Sequence, residues 1–136
     1  MRWSMFFTLV LVLLPWGAQA YQFERSEDGE ALRWPSGTVE LRVDPRIPSA
    51  WQQALWAAVD EWNQALTDVR LVVMAEPARE QEIGNGLNEI WWDTGEWTYP
   101  ESWPALTQVS YCPESGAITE GDVILRGSGD WCTVTD

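Results

Sequence analysis

A single stretch in the first third of the chain narrows the fold most. Thr38 to Asp44 alternates strictly: Val39, Leu41 and Val43 face one way, and Thr38, Glu40, Arg42 and Asp44 the other. Period two with one apolar face is a half-buried strand. Pro45 and Pro48 end it, because neither can donate to a ladder. Ser49-Ala50-Trp51-Gln52 then reads as a capping box, with a hydroxyl at the cap and a Gln three residues on. Trp51, Leu55, Ala58, Val59, Trp62, Ala65 and Leu66 recur at steps of three and four, which predicts a helix over Ala50 to Leu66. Trp56 falls on its flank and is expected to be part-exposed. Val69 to Met74 is apolar on both faces, a strand suited to a central position. Strand, helix, strand at this spacing implies a right-handed crossover between parallel strands.

Further strands are expected at Leu87 to Asp93, Leu106 to Tyr111 and Ile118 to Arg126. Turn residues separate them: Gly84-Asn85-Gly86, Gly95 with Pro100 and Pro104, and Pro113-Glu114-Ser115-Gly116. The order β, α, β, β, β, β specifies an α+β or α/β domain. It should hold one long helix and five strands, the first two of them a parallel pair joined through the helix.

The first twenty residues stand apart. Met5 to Leu14 is an apolar run behind Arg2, Pro15-Trp16-Gly17 breaks it, and Ala18-Gln19-Ala20 is a small-x-small cleavage pattern. This reads as a secretory signal peptide over residues 1–20, too short to span a bilayer comfortably. Residues 21–33 read as a charged N-terminal arm, and residues 34–136 as the domain. A secreted or periplasmic location follows, and in an oxidising compartment Cys112 and Cys132 are expected to form a disulfide.

Charge and composition exclude several functions. The 136 residues carry 8 basic and 21 acidic side chains, for a formal charge of −13. A chain this acidic lacks the cationic footprint of a nucleic-acid binder, and it would be repelled by anionic membranes once the leader is removed. With no His, it has no Ser-His-Asp triad, no Cys-His pair and no His-ligated zinc. Carboxylate pairs abound, but spacing selects none of them as an acid/base dyad.

Four segments, in order, resemble the metzincin metalloproteases, and their matrixin-like branch in particular. Trp34-Pro35-Ser36-Gly37-Thr38-Val39-Glu40-Leu41-Arg42-Val43 resembles the family's opening W-x-x-G-x-v-x-v-x-v strand. Ala57-Ala58-Val59-Asp60-Glu61-Trp62 resembles its first helix, and Asn88-Glu89-Ile90-Trp91-Trp92 its N-x-I-x-W strand. Ala105-Leu106-Thr107-Gln108-Val109 resembles its edge strand. Gly116-Ala117-Ile118-Thr119-Glu120-Gly121-Asp122-Val123-Ile124-Leu125 resembles the G-x-I-x-E-x-D-I-x-L strand after it.

The resemblance implies the upper subdomain of such a protease: a twisted, mostly parallel five-stranded sheet with one antiparallel edge strand beside the cleft. That edge would be Leu106, Thr107, Gln108, Val109, Ser110 and Tyr111, and it would hold an extended peptide or protein substrate by strand addition. The family's zinc sits on H-E-x-x-H-x-x-G-x-x-H, which this chain lacks. The expectation is therefore a partial domain: a protease by descent, inactive as given, with no catalytic or metal-binding residue of its own. The family's missing C-terminal half is then a second expected partner. The family also implies calcium, and Asp93, Glu96 and Glu101 lie in the corresponding loop, without an EF-hand pattern. Without the second helix, apolar residues among Val72, Met74, Ile90, Trp92, Val123 and Leu125 are expected to lie open to water. The alternative function is a secreted, non-catalytic module in which Trp91, Trp92, Trp97, Tyr99 and Trp103 stack on peptide or carbohydrate.

Overall fold

A computed structural model describes residues 24–79, 81–129 and 131. The expected leader, at residues 1–20, lies outside them, as does Cys132. The elements run β1 (Gly37–Val43), α1 (Ser49–Ala65), β2 (Val69–Val73), β3 (Asn88–Asp93), β4 (Ala105–Tyr111) and β5 (Ile118–Arg126). They build one five-stranded sheet in the order β2-β1-β3-β5-β4. β1 lies parallel to both β2 and β3, β3 is parallel to β5, and β4 alone runs antiparallel, against β5. The mostly parallel α+β architecture expected from the sequence is therefore present, with the helix between the first two strands as the crossover.

Register sorts the side chains into two faces. Val43, Ile90 and Val123 stand side by side across β1, β3 and β5, as do Trp92 and Leu125. This row meets Ile47, Trp51, Leu55 and Trp131, and the buried centre is Ile47, Ile90 and Trp92. Trp131 closes the cluster over the sheet. Its ring lies 6.0 Å from Trp51, edge to face, and 6.4 Å from Trp92. The expectation of an open apolar face is corrected here: Ile90 and Trp92 are 5% and 8% exposed. Val72, Met74, Val123 and Leu125 are half-buried.

Three local expectations also change. β2 is an edge strand, not a central one. Its apolar character reflects the cover that α1 supplies, to which β2 is the strand in closest contact. The capping box does not form: Pro48 is the N-cap and no side chain bonds the first turn. Pro48 has an extended ψ of 144° and its carbonyl accepts the Trp51 and Gln52 N–H groups, so the helix starts at Ser49, inside which a hydroxyl cannot act as the cap. Gln52 instead donates from Nε2 to the Ile47 carbonyl at 2.7 Å. Along α1 only Val59 is fully buried, and Trp62, expected on the inner face, is 60% exposed. It stands with Trp34, Leu66 and Val69 around a shallow groove at the C-terminal end of the helix.

The N-terminal arm is part of the fold. Arg25 and Ala31 bridge antiparallel in a small hairpin, and Ser26 Oγ accepts the Glu30 N–H at 3.2 Å. Arg33 then joins β5 by a parallel bridge to Ala117, donating to the Gly116 carbonyl and accepting from the Ile118 N–H. Trp34 follows and packs its ring on β5 at Gly121. A Cβ at Gly121 would sit 3.0 Å from Trp34 Cζ2.

Candidate functional site

All six residues expected at the substrate-facing edge, Leu106, Thr107, Gln108, Val109, Ser110 and Tyr111, lie in β4 at the end of the sheet. The hydrogen-bond phase shows which of their main-chain groups are free. Arg126 N donates to the Pro104 carbonyl, so Pro104 and Arg126 form a bonded pair. In an antiparallel ladder bonded and non-bonded pairs alternate. Leu106, Gln108 and Ser110 therefore spend their N–H and C=O on Ile124, Asp122 and Glu120. Ala105, Thr107 and Val109 face Leu125, Val123 and Gly121 in non-bonded pairs, so their N–H and C=O point away from the sheet. A register shift between Ser110 and Tyr111 ends this phase.

Among the described residues nothing along β4 guards that edge. Its residues, Ala-Leu-Thr-Gln-Val-Ser-Tyr, include no charge and no proline, the usual devices against unwanted pairing. Thr107 and Val109 are exposed, Val109 at 40%. The opposite edge is treated differently. Asn63 of α1 donates from Nδ2 to the Leu71 carbonyl and accepts the Leu71 N–H on Oδ1, both at 2.8 Å. A side-chain amide thus occupies the middle of β2 as a neighbouring strand would, and Arg70 places a charge beside it.

The sheet face away from α1 carries a buried group that sequence reasoning did not single out: Glu89, Glu120 and Asp122. Glu120 accepts the N–H groups of Gly84 and Gly86 at 2.5 Å each, one on each oxygen. Glu89 accepts the Arg79 N–H at 2.7 Å and Asn85 Nδ2 at 3.0 Å. Asp122 Oδ1 accepts the Glu89 N–H at 3.0 Å, and its Oδ2 is buried without a partner. A visible signal existed, since Glu120 and Asp122 are two apart in a strand and so share a face. A solvated acidic face shows the same pattern.

A fourth buried carboxylate, Asp44, closes the turn after β1. It accepts from Arg46 N at 2.9 Å, from Arg46 Nη2 at 2.6 Å and from Trp92 N at 3.1 Å. Burial alone would raise its pKa. The Arg46 side-chain bonds, then the Arg46 and Trp92 N–H groups, outweigh burial and hold it below the ordinary value.

The other expected residues are not brought together. Cys112 follows β4, and its thiol donates to Glu114 Oε2 at 3.0 Å. Its expected disulfide partner is outside the described residues. In the loop expected to suit calcium, Asp93 accepts the Gly95 N–H at 2.8 Å, while the Glu96 and Glu101 side chains are exposed. Among the described residues no three His, Cys, Asp or Glu side chains are arranged to hold a metal ion. The Trp-rich loop is already occupied by itself. Tyr99 meets the Trp97 ring edge to face at 5.1 Å, and the Arg126 guanidinium stands 5.9 Å from the same ring. Trp91 and Trp92 are core residues, at 1% and 8% exposure, and Trp103 projects at 49%.

No family model, curated protein or solved structure matches the chain.

Proposed function

We propose that this chain is a secreted, metzincin-like sheet domain that holds an extended peptide along β4 and does not cut it by itself. The observation that carries the reading is the unguarded edge. Ala105, Thr107 and Val109 turn their N–H and C=O outward from a strand with no charge and no proline. Main-chain bonds of this kind give affinity for any extended segment, and alternate side chains such as Thr107 and Val109 add selectivity. The metzincin-like part of the reading rests on the sequence resemblance, and β4, the strand it would set beside the cleft, is an antiparallel edge.

The family's zinc does not fit the residues present. Its ligands are imidazoles one helical turn apart, and this chain has no His. The carboxylates of Glu89 and Glu120 are already spent on the N–H groups of Arg79, Gly84 and Gly86 and on the Asn85 amide. No hydrolytic step is therefore assigned to this chain. Its part is to bind and align the peptide.

The test is titration with a synthetic peptide of alternating Val and Thr, and with the same peptide N-methylated at alternate residues. The reading expects the first to bind and to shift the Thr107 and Val109 amide resonances, and the second to fail. Equal binding of both, or binding that leaves those amides unmoved, refutes it. Chelator-sensitive cleavage of the peptide refutes the non-cutting part.

A further inference from the structure

Arg79 and the loop residues 84–86 are held to the sheet by carboxylates rather than by apolar packing. Ile83, the large apolar side chain beside them, is 51% exposed. Gly84 and Gly86 reach Glu120, and Arg79 and Asn85 reach Glu89. Gly84 and Gly86 have φ of +84° and +76°, conformations that suit glycine and let the two N–H groups converge on one carboxylate. The Gly84–Gly86 part of the attachment therefore depends on Glu120 staying in place.

Asp122 is the difficulty. It is 0% exposed, it lies against Glu120, and its Oδ2 has no partner. A buried carboxylate oxygen facing a second carboxylate is unfavourable unless something is shared between them. A metal ion is not favoured, because no three such side chains converge among the described residues. A proton meets the need. Each Glu120 oxygen has a second lone pair after accepting its glycine N–H, so a protonated Asp122 can donate to it.

We propose that Glu120 and Asp122 form a proton-sharing latch that keeps the Gly84–Gly86 loop against β5 in acidic medium and loosens it towards neutrality. Burial pushes the Asp122 carboxyl up to about 7; the Glu89 N–H opposes this, and the Glu120 and Glu89 carboxyls add to the rise. The other charged groups around it do not cancel the effect. Arg42 stands in register beside Glu89 on β1, Gln108 of β4 is neutral, and Glu82 in the loop is acidic and exposed. Among the described residues the one ion pair is Arg46 with Asp44, so no cation is paired with the three carboxylates.

The sign follows from linkage. The closed loop binds the Asp122 proton more tightly than the open loop, in which the carboxyl returns towards 3.8. Closure is complete below that value and weakens as pH rises, until Asp122 ionises near 7. Each pH unit in that window costs up to about tenfold in the closing equilibrium.

The experiment is native-state hydrogen exchange of the Gly84 and Gly86 amides, expressed as protection factors so that the chemical pH dependence cancels. Between about pH 5 and about pH 7.5, protection is expected to fall by up to roughly 70-fold, in step with a carbon-13 titration of the Asp122 carboxyl. The Asp122→Asn variant keeps a donor towards Glu120 at every pH, so its protection should stay flat across the range. Constant protection in the wild-type chain, or an Asp122 titration at an ordinary carboxylate value, overturns the latch. The same fall in Asp122→Asn overturns it as well. If the variant fails to fold, the wild-type titration and exchange decide alone.

Discussion

Replacing Thr107 by proline should separate two things that most substitutions in a strand confuse. Thr107 sits in a non-bonded pair with Val123, so its N–H is not used in the sheet. Thr107→Pro removes an outward donor and leaves the ladder to β5 whole. The expected loss of stability is under about 1 kcal/mol, from the change in φ preference alone. Gln108→Pro, one residue on, removes the N–H that bonds to Asp122, whose residue is fully buried. That costs one ladder bond, about 1 kcal/mol, and strands a buried carbonyl, about 1–3 kcal/mol more. For a domain of this size the sum lowers the melting temperature by roughly 10–25 °C. Thermal unfolding followed by circular dichroism reads both variants. Calorimetric titration with the alternating Val and Thr peptide then reads the edge. Thr107→Pro should melt within about 5 °C of the wild type and bind at least about tenfold more weakly. Equal destabilisation by the two prolines would refute the assigned bonding phase, and a larger loss in Thr107→Pro would show it to be reversed. Unchanged peptide affinity in Thr107→Pro would show that β4 is not where the peptide pairs.

Other expectations follow from the packing. Gly121→Val should cost about 1–3 kcal/mol by chemical denaturation, because its Cβ starts 3.0 Å from the Trp34 ring. Trp131→Ala should cost about 2–4 kcal/mol and raise dye binding, since Trp131 covers Trp92 and meets Trp51. Asp44 has a lowered folded pKa, so its contribution is present above 3.8 and is lost as pH falls through the folded value. Asp44→Asn should therefore flatten the acid side of the stability profile, and Asp44→Ala should cost about 2–3 kcal/mol at neutral pH by stranding the Trp92 N–H.

How much was legible depended on the range of the interaction. Strand and helix positions follow from local periodicity, and Ile118–Arg126 and the β4 edge stand where the spacing put them. The place of β2 was not legible, because an apolar run reports burial and not order in the sheet. Cover by α1 makes an edge strand look central. The cap at Ser49 failed for a local reason: the preceding proline already set the helix phase. Trp62 failed for a tertiary one. α1 lies on the β2 side, so its periodic face extends beyond the sheet that could bury it. The Glu89, Glu120 and Asp122 group was hidden because acids two apart on a strand usually face water. What buries them is a loop up to 36 residues away in sequence, and no pattern near Glu120 announces it.

The Asn63 amide on β2 has a consequence for assembly. A sheet with two open edges can add copies at both ends and grow into a fibre. Here one end is closed by a side chain from the protein's own helix, at Leu71. If two copies meet through β4, each spends on the other the unguarded edge of its described residues, and the ten-stranded product has a strand blocked at Leu71 at either end. Such pairing is isologous and self-limiting: it stops at a twofold dimer. Asn63→Ala would reopen the second end and turn a terminating contact into a propagating one.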